Sequence, residues 1–155
     1  MASIPERLRT GSRPIDNQFD EAELLYVRCL SDHVDGGRFL PAGIKFPDWS
    51  TNRAKYSEPL DVLLPEFEHW GIAGFNVGAI PAQLKIGDSK VYAFAPIHDP
   101  TPENYSHTEV RTFKDGVYDN NLKVPTLIKK EFRTRLAAMT TIIKTPALSS
   151  LDSQL

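Results

Sequence analysis

At 155 residues, the chain is long enough for one domain to bury a hydrophobic core without disulfides or structural metal. Its hydrophobic share of 41% and charged share of 25% are those of ordinary globular chains, which argues against a disordered or membrane-embedded protein. The net charge of −2 disfavours nucleic-acid binding, and the single cysteine disfavours an internal disulfide and a zinc site with several thiolates. The chain has no apolar run long enough for a membrane span, so the cytoplasm is the expected compartment.

Both ends of the chain have compositions that predict little burial. Residues 1–18 are rich in Arg, Pro, Ser and Gly, so they are predicted to form a flexible arm. After Lys144 the chain is mostly small and polar and contains Pro146, so residues 146–155 are predicted to form a flexible tail. Residues 19–145 are expected to form a single α+β domain.

The first half of this domain has one ambiguous segment and one polar segment. Residues 24–29 (LLYVRC) alternate as a strand does, although Asp20 and Glu23 in front of them have the spacing of a helix capping box. We predict a short helical turn that leads into a strand over residues 24–29, with a helix as the open alternative. Residues 49–57 (WSTNRAKYS) show no periodicity and are predicted to form a polar loop.

Two short runs rich in Val, Phe, Tyr and Ile are predicted as strands, at residues 75–80 and 90–97. The sequence IGDSK between them is typical of a turn, so the two strands are expected to pair as a hairpin or to lie close together. Before them, Pro65 suits the first turn of a short helix, which Gly71 would end.

A third strand is predicted after the proline-rich loop HDPTPEN, over residues 106–113. Alternate side chains of a strand point to the same face, so His107, Glu109 and Arg111 are expected to be neighbours on one face. This geometry would bring an imidazole next to a carboxylate.

After Pro125, apolar residues recur every three or four positions, which predicts a long C-terminal helix. The predicted apolar stripe consists of Ile128, Phe132, Leu136, Met139 and Ile143. The order of elements predicts an α+β fold with a mostly antiparallel sheet of about five strands, the long C-terminal helix and one or two short helices.

His107 and Glu109 are the candidate catalytic residues. A carboxylate beside an imidazole can orient the ring as a general acid or base. The alternative is a structural ion network with Arg111 on an exposed face of the sheet. His98 and Asp99 nearby are further potential metal ligands, but the chain has no recognised ligand spacing, so no metal and no cofactor is predicted.

The polar segment 49–57 is the main candidate for ligand binding. It is dense in hydrogen-bond donors and contains two cations, a combination that suits phosphate or another small anion. Alternatively, its aromatic residues pin the segment to the core while the cations face water. The candidate ligand-binding residues are Arg28, Ser50, Thr51, Asn52, Arg53, Lys55 and Tyr56.

Arg28 on an early strand, Ser50 and Thr51 in the following segment and Glu109 on a late strand resemble the order arginine, serine, glutamate of ADP-ribosyltransferase folds. The resemblance covers these positions only. It implies that the arginine would hold the phosphates of a dinucleotide and that the glutamate would orient its nicotinamide ribose.

Two functions remain open, because the chain has no P-loop, Rossmann or α/β-hydrolase motif and no complete catalytic set. The lack of a complete catalytic set favours the first, a non-catalytic interaction module of a bacterial-type system, which would dock an unknown protein partner through acidic residues 58–70 or the basic helix side (Lys129, Lys130, Arg133). The second is a small enzyme, a transferase or hydrolase, or a nucleotide- or anion-binding domain, using His107 and Glu109 with segment 49–57. A shared pocket would favour the second.

Overall fold

The computed structural model describes residues 4–64, 66–87 and 90–147. Within them the chain forms a nine-stranded antiparallel sheet and an α-helix, α1 (Thr126–Ala138). The strands are β1 (Leu24–Cys29), β2 (Val34–Asp35), β3 (Arg38–Phe39), β4 (Asp48–Arg53), β5 (Gly71–Asn76), β6 (Gln83–Ile86), β7 (Lys90–His98), β8 (His107–Lys114) and β9 (Thr141–Lys144).

The predicted α+β fold with about five strands and several helices is wrong, because the protein is mostly β. The sheet order is β2-β3-β9-β5-β1-β4-β8-β7-β6. The strands that the sequence did not reveal are short or polar, and a run of two residues is too short to show alternation. β4 has the sequence Asp-Trp-Ser-Thr-Asn-Arg, so the predicted polar loop at residues 49–57 begins as a strand in the middle of the sheet.

Three predicted strands are confirmed to within one residue, namely β1, β7 and β8. The prediction of a strand at residues 75–80 is wrong in position, because β5 ends at Asn76 and a 3₁₀ turn (Val77–Ala79) follows. The predicted hairpin is also wrong, because β7 pairs with β6 and β8 while β5 pairs with β1 and β9.

Some predictions fall on residues that the structure does not describe: Pro65, Asp88, and residues 1–3 and 148–155 of the two predicted flexible ends. Pro65 was predicted to begin a short helix. The described residues around it form a 3₁₀ turn (Pro59–Leu63) and then turns and bends up to the start of β5. β6 and β7, on either side of Asp88, pair with each other.

The apolar stripe predicted for the C-terminal helix is confirmed over its first three members. These buried residues are Ile128, Phe132 and Leu136. The helix ends at Ala138, however, so Met139 is exposed and Ile143 belongs to β9. The β-branched run at residues 140–143 explains the change, because such residues favour a strand over a helix. Across the described ranges, the structure contains no helix long and apolar enough to span a membrane.

The two faces of the sheet differ in what covers them. One face packs against α1, and there Trp49 stacks on Phe75 with ring centroids 5.4 Å apart. The opposite face buries a smaller cluster, in which Tyr26 and Ile72 pack against the 3₁₀ turn Pro59–Leu63. Beside this small cluster, the second face carries the polar side chains of β4 and β8, and the candidate site lies there.

Residues 4–18 lie against the domain, although their composition predicts a flexible arm. Arg7 donates two hydrogen bonds, of 2.7 and 2.6 Å, to the carboxylate of Asp61. The main-chain N–H of Asp16 donates to Nδ1 of the buried His98 at 2.8 Å. These are polar contacts between residues far apart in the chain, which composition does not reveal. The domain boundaries stay predictions.

Cys29 on β1 is fully buried, and burial raises the pKa of its thiol to about 11. Because the thiolate is the reactive form, we expect the native protein to resist Ellman's reagent at mildly alkaline pH. The same protein in denaturant should react rapidly at its single cysteine. Absorbance of the released nitrothiobenzoate measures both rates, and equally fast labelling of the native protein would contradict the packing of β1 against β5.

Candidate functional site

Three neighbouring strands bring candidate residues onto one face of the sheet. β4 lies between β1 and β8. Asn52 is paired with His107 of β8 on one side and with Tyr26 of β1 on the other, and Ser50 is paired with Glu109. Directly paired residues of antiparallel strands point to the same face. These side chains therefore share the face opposite α1.

A cavity of about 120 Å³ lies on this face, beside the 3₁₀ turn Pro59–Leu63. A water molecule occupies about 30 Å³ of liquid, so the cavity has room for about four waters or one small anion. Its polar lining includes Arg28, Ser50, Asn52, Asp61, Asn104 and His107. The cavity thus joins residues from both segments that the sequence analysis singled out.

Arg28 is the cation of this cavity. Its side chain stacks on Phe67, with the guanidinium carbon 3.7 Å from the ring centroid, and Trp70 lies 5.9 Å away on the same measure. Burial lowers the pKa of Arg28. Within the described part of the chain, its guanidinium has no carboxylate partner and no side-chain hydrogen bond. Five N–H donors therefore remain for a ligand or water.

His107 is held in one tautomer by its two neighbours. Its Nδ1 lies 2.8 Å from the main-chain oxygen of Asp99, and a carbonyl oxygen only accepts, so Nδ1 carries the proton. The neutral ring then has its lone pair on Nε2. This nitrogen is 3.4 Å from Oγ of Ser50, at the long end of hydrogen-bonding distance. The Ser50 hydroxyl can therefore donate to His107.

Glu109 shares the face with His107 as predicted, but the contacts of the two residues differ. Oε1 of Glu109 accepts a hydrogen bond of 2.8 Å from Nε of Arg111. Arg111 also lies 3.6 Å from the carboxylate of Asp99. Glu109 lines a separate, open depression near Tyr118 and does not line the cavity. The structure thus pairs His107 with Ser50 and leaves Glu109 in an ion network.

Arg53 does not line the cavity, although the sequence places it among the candidate anion ligands. Its side chain is fully buried and donates to both carboxylate oxygens of Glu23, at 2.6 and 2.8 Å. It also donates to the main-chain oxygens of Asp16 and Gln18. Its hydrogen bonds therefore fasten the N-terminal segment to β4.

The remaining candidates of the 49–57 segment also have partners elsewhere. Nζ of Lys55 and Oη of Tyr56 contact the carboxylate of Asp16 at 3.2 and 2.6 Å, and the Tyr56 hydrogen bond is the main cause that lowers the pKa of Asp16. Thr51 borders the cavity, but its buried hydroxyl donates to the main-chain oxygen of Thr108 at 3.1 Å. Among the 49–57 residues, Ser50 and Asn52 remain as polar groups for a ligand.

Among the cavity residues that sequence reasoning did not single out as ligand-binding candidates are Asn104 and Asp61. Nδ2 of Asn104 donates to Oδ1 of Asn52 at 3.0 Å and so fixes the amide of Asn52. Asp61 is held by Arg7, which lies 54 positions earlier. Both contacts join distant parts of the chain, and no local pattern of residues indicates them.

The described residues contain no group of three or more His, Cys, Asp or Glu side chains that could hold a metal ion. Comparisons of the chain with known protein families, with curated proteins and with solved structures find no match. The residues that resemble ADP-ribosyltransferases lie on the adjacent strands β1, β4 and β8, but Glu109 does not line the cavity that Arg28 and Ser50 share. The function is therefore inferred from the geometry of the cavity.

Proposed function

We propose that this protein binds a small anion, or the anionic group of a larger ligand, in the cavity beside Arg28. The observation that carries the proposal is a half-buried guanidinium that has no carboxylate partner among the described residues and borders a polar cavity. Arginine in such a setting binds carboxylate or phosphate through two parallel hydrogen bonds. The amide of Asn52 adds an uncharged donor, and Ser50 borders the same cavity.

Electrostatics in the cavity favour an anion. Burial of Arg28 disfavours its charged form, so a bound anion would recover interaction energy that water no longer supplies. Asp61 is the acidic side chain of the lining, and its carboxylate is matched by the two hydrogen bonds from Arg7. Repulsion of an anion by Asp61 is therefore reduced.

The size of the cavity limits what can enter it. A volume of about 120 Å³ accommodates a phosphate or carboxylate group but not a whole nucleotide. The aromatic rings of Phe67 and Trp70 lie next to the Arg28 guanidinium and restrict its position, and neither ring lines the cavity. A larger ligand would place its anionic end in the cavity and the remainder outside it.

Replacing Arg28 with methionine should weaken anion binding by about 10- to 100-fold, because hydrogen bonds to a charged group contribute about 1.5–3 kcal/mol. Methionine keeps an apolar contact with Phe67 while removing the charge. Isothermal titration calorimetry with inorganic phosphate and with acetate measures the change.

The matched control is Arg38→Met, since Arg38 is an exposed arginine on β3 and does not line the cavity. It should bind phosphate as the unaltered protein does. Absence of phosphate and acetate binding in the unaltered protein, or equal affinity in Arg28→Met, would contradict the proposal.

The protein-docking function expected from the acidic and basic segments stays a prediction. Two of the charges that it invokes already have partners within the chain. Asp61 binds Arg7, and Arg133 donates hydrogen bonds of 3.2 and 2.8 Å to the main-chain oxygen of Ile44. Arg7 compensates the charge of Asp61, and the bonds to Ile44 occupy donors of Arg133 and fix its side chain, so we prefer the anion-binding function.

A further inference from the structure

We infer that Ser50 and His107 form a nucleophile and base pair that takes an acyl group from small esters bearing a carboxylate. Arg28 would hold the carboxylate of the substrate while Ser50 attacks its ester carbonyl. The substrate class rests on the proposed anion site, whereas the reactivity of Ser50 rests on His107.

The tautomer of His107 carries this inference. Because Nδ1–H is engaged by the Asp99 carbonyl at 2.8 Å, the lone pair of Nε2 faces the Ser50 hydroxyl at 3.4 Å. A serine, a histidine and a third group that orients the ring constitute the usual arrangement of an activated serine, and the distances in ligand-free structures are often long. A main-chain carbonyl orients the ring but carries no full charge. It stabilises the imidazolium less than a carboxylate does, so turnover should be slow.

Ser50 is accessible to a substrate. It is exposed, while its neighbours Thr51 and Asn52 are buried, and it borders the same cavity as Arg28. Its backbone is fixed by the pairing of β4 with β8. Because this pairing fixes the separation between the backbones of Ser50 and His107, attack would take place in a constant geometry.

Asn52 provides a donor for the negative oxygen that forms during attack. Its Oδ1 accepts from Asn104, so the amide is oriented with its nitrogen available. Within the described residues this nitrogen has no hydrogen-bond partner and is not buried away from solvent. A preorganised donor near the developing oxyanion is a large contributor to catalysis of acyl transfer.

The step requires no oxidant and no cofactor. Oγ of Ser50 bonds to the carbonyl carbon, and its proton moves to Nε2 of His107. The bond from the carbonyl carbon to the alcohol oxygen then breaks, and the departing alcohol takes the proton from His107. The acyl group is left as an ester on Ser50. Water then attacks this ester while His107 takes one of its protons; the bond from the acyl carbon to Oγ breaks, and His107 returns the proton to Oγ, which releases the carboxylic acid and restores Ser50 and the neutral ring.

The test is covalent labelling followed by intact-mass and peptide mass spectrometry. The two probes are 4-nitrophenyl benzoate, which is neutral, and 4-nitrophenyl 4-carboxybenzoate, which has the same ring and also bears a carboxylate. We expect one acyl group per chain, located on Ser50, and a labelling rate at least about tenfold higher with the carboxylate probe. Ser50→Ala should not be labelled. Ser12→Ala, which removes an exposed serine that does not line the cavity, should be labelled like the unaltered protein.

A second variant tests the base. His107→Gln should slow labelling of Ser50 by about 10²- to 10⁴-fold, the range typical of general base catalysis. Its circular dichroism and thermal midpoint should stay close to those of the unaltered protein. In His107→Gly, added imidazole should restore part of the rate, a rescue that a purely structural role would not produce.

Failure of this inference is distinguishable from failure of the anion site. Labelling on lysines instead of Ser50, or equal Ser50 labelling in His107→Gln, would overturn the nucleophile and base pair even where phosphate binds. Loss of the rate advantage of the carboxylate probe in Arg28→Met supports the substrate class. His107-dependent labelling of Ser50 without any such advantage in the unaltered protein would overturn the substrate class and leave the reactive pair standing.

Discussion

Replacing Glu23 with alanine is expected to destabilise the protein by about 3 kcal/mol, because the fully buried Arg53 would lose its nearer carboxylate and keep only that of Asp16, at 3.4 Å. The side chain of Arg53 is 0% exposed and that of Glu23 is 7% exposed, and two hydrogen bonds join them. The remaining Asp16 carboxylate is farther away and accepts neither of the two hydrogen bonds that Glu23 accepts, so the buried guanidinium would be poorly compensated. Urea unfolding followed by circular dichroism measures the loss.

Glu21→Ala is the matched control for this experiment. Glu21 is an exposed glutamate two positions earlier, and its main-chain oxygen, which accepts from Gly78, is unchanged by the substitution. Its effect should stay within about 0.5 kcal/mol. Should Glu23→Ala unfold at the same urea concentration as the unaltered protein, the buried pair would contribute nothing to stability.

Phe132→Ala is expected to have a comparable effect, a loss of about 3–5 kcal/mol, because it leaves a cavity between α1 and the sheet. Phe132 is 1% exposed, and its ring centroid lies 4.3 Å from that of Phe94 and 5.3 Å from that of Phe46. These rings fill the centre of the core on the helix side, so their neighbours can collapse only partly into the gap. Urea unfolding again gives the value.

The control on the same helix is Leu127→Ala, because Leu127 is 69% exposed. It should change the free energy of unfolding by no more than about 0.5 kcal/mol. Similar losses for both substitutions would mean that α1 does not bury the face that carries Phe132.

Local pattern was sufficient where one face of an element is apolar over several residues. Alternation predicted strands at residues 106–113 and, with a helix as the alternative, at 24–29, and composition predicted one at 90–97; the structure contains strands at these places. The apolar stripe of α1 was readable for the same reason. Local pattern was insufficient for β4, because its polar residues are held by backbone pairing with β1 and β8, and backbone hydrogen bonds form regardless of side chain.

The candidate site, like the fold, was predictable from local sequence pattern only in part. Alternation on β8 was enough to predict that His107 and Glu109 share a face. The pairing of β4 with β8 decided that the neighbour of His107 in the cavity is Ser50, which lies 57 positions away in the chain. Strand register is a contact between distant segments, and no pattern within either segment specifies it.

The two arginines Arg28 and Arg53 illustrate the physical reason most directly. From the sequence, Arg28 was placed in a predicted strand and Arg53 in a predicted polar loop, and both were candidate ligand-binding residues. In the folded chain, Arg53 is surrounded by Glu23 and the carbonyls of the N-terminal segment, whereas Arg28 meets aromatic rings and an open cavity. By itself the sequence determined the charge, the strands with clear alternation and the apolar face of the helix. The tertiary structure decided which cation already has its counter-charge, because ion pairing depends on distance in space.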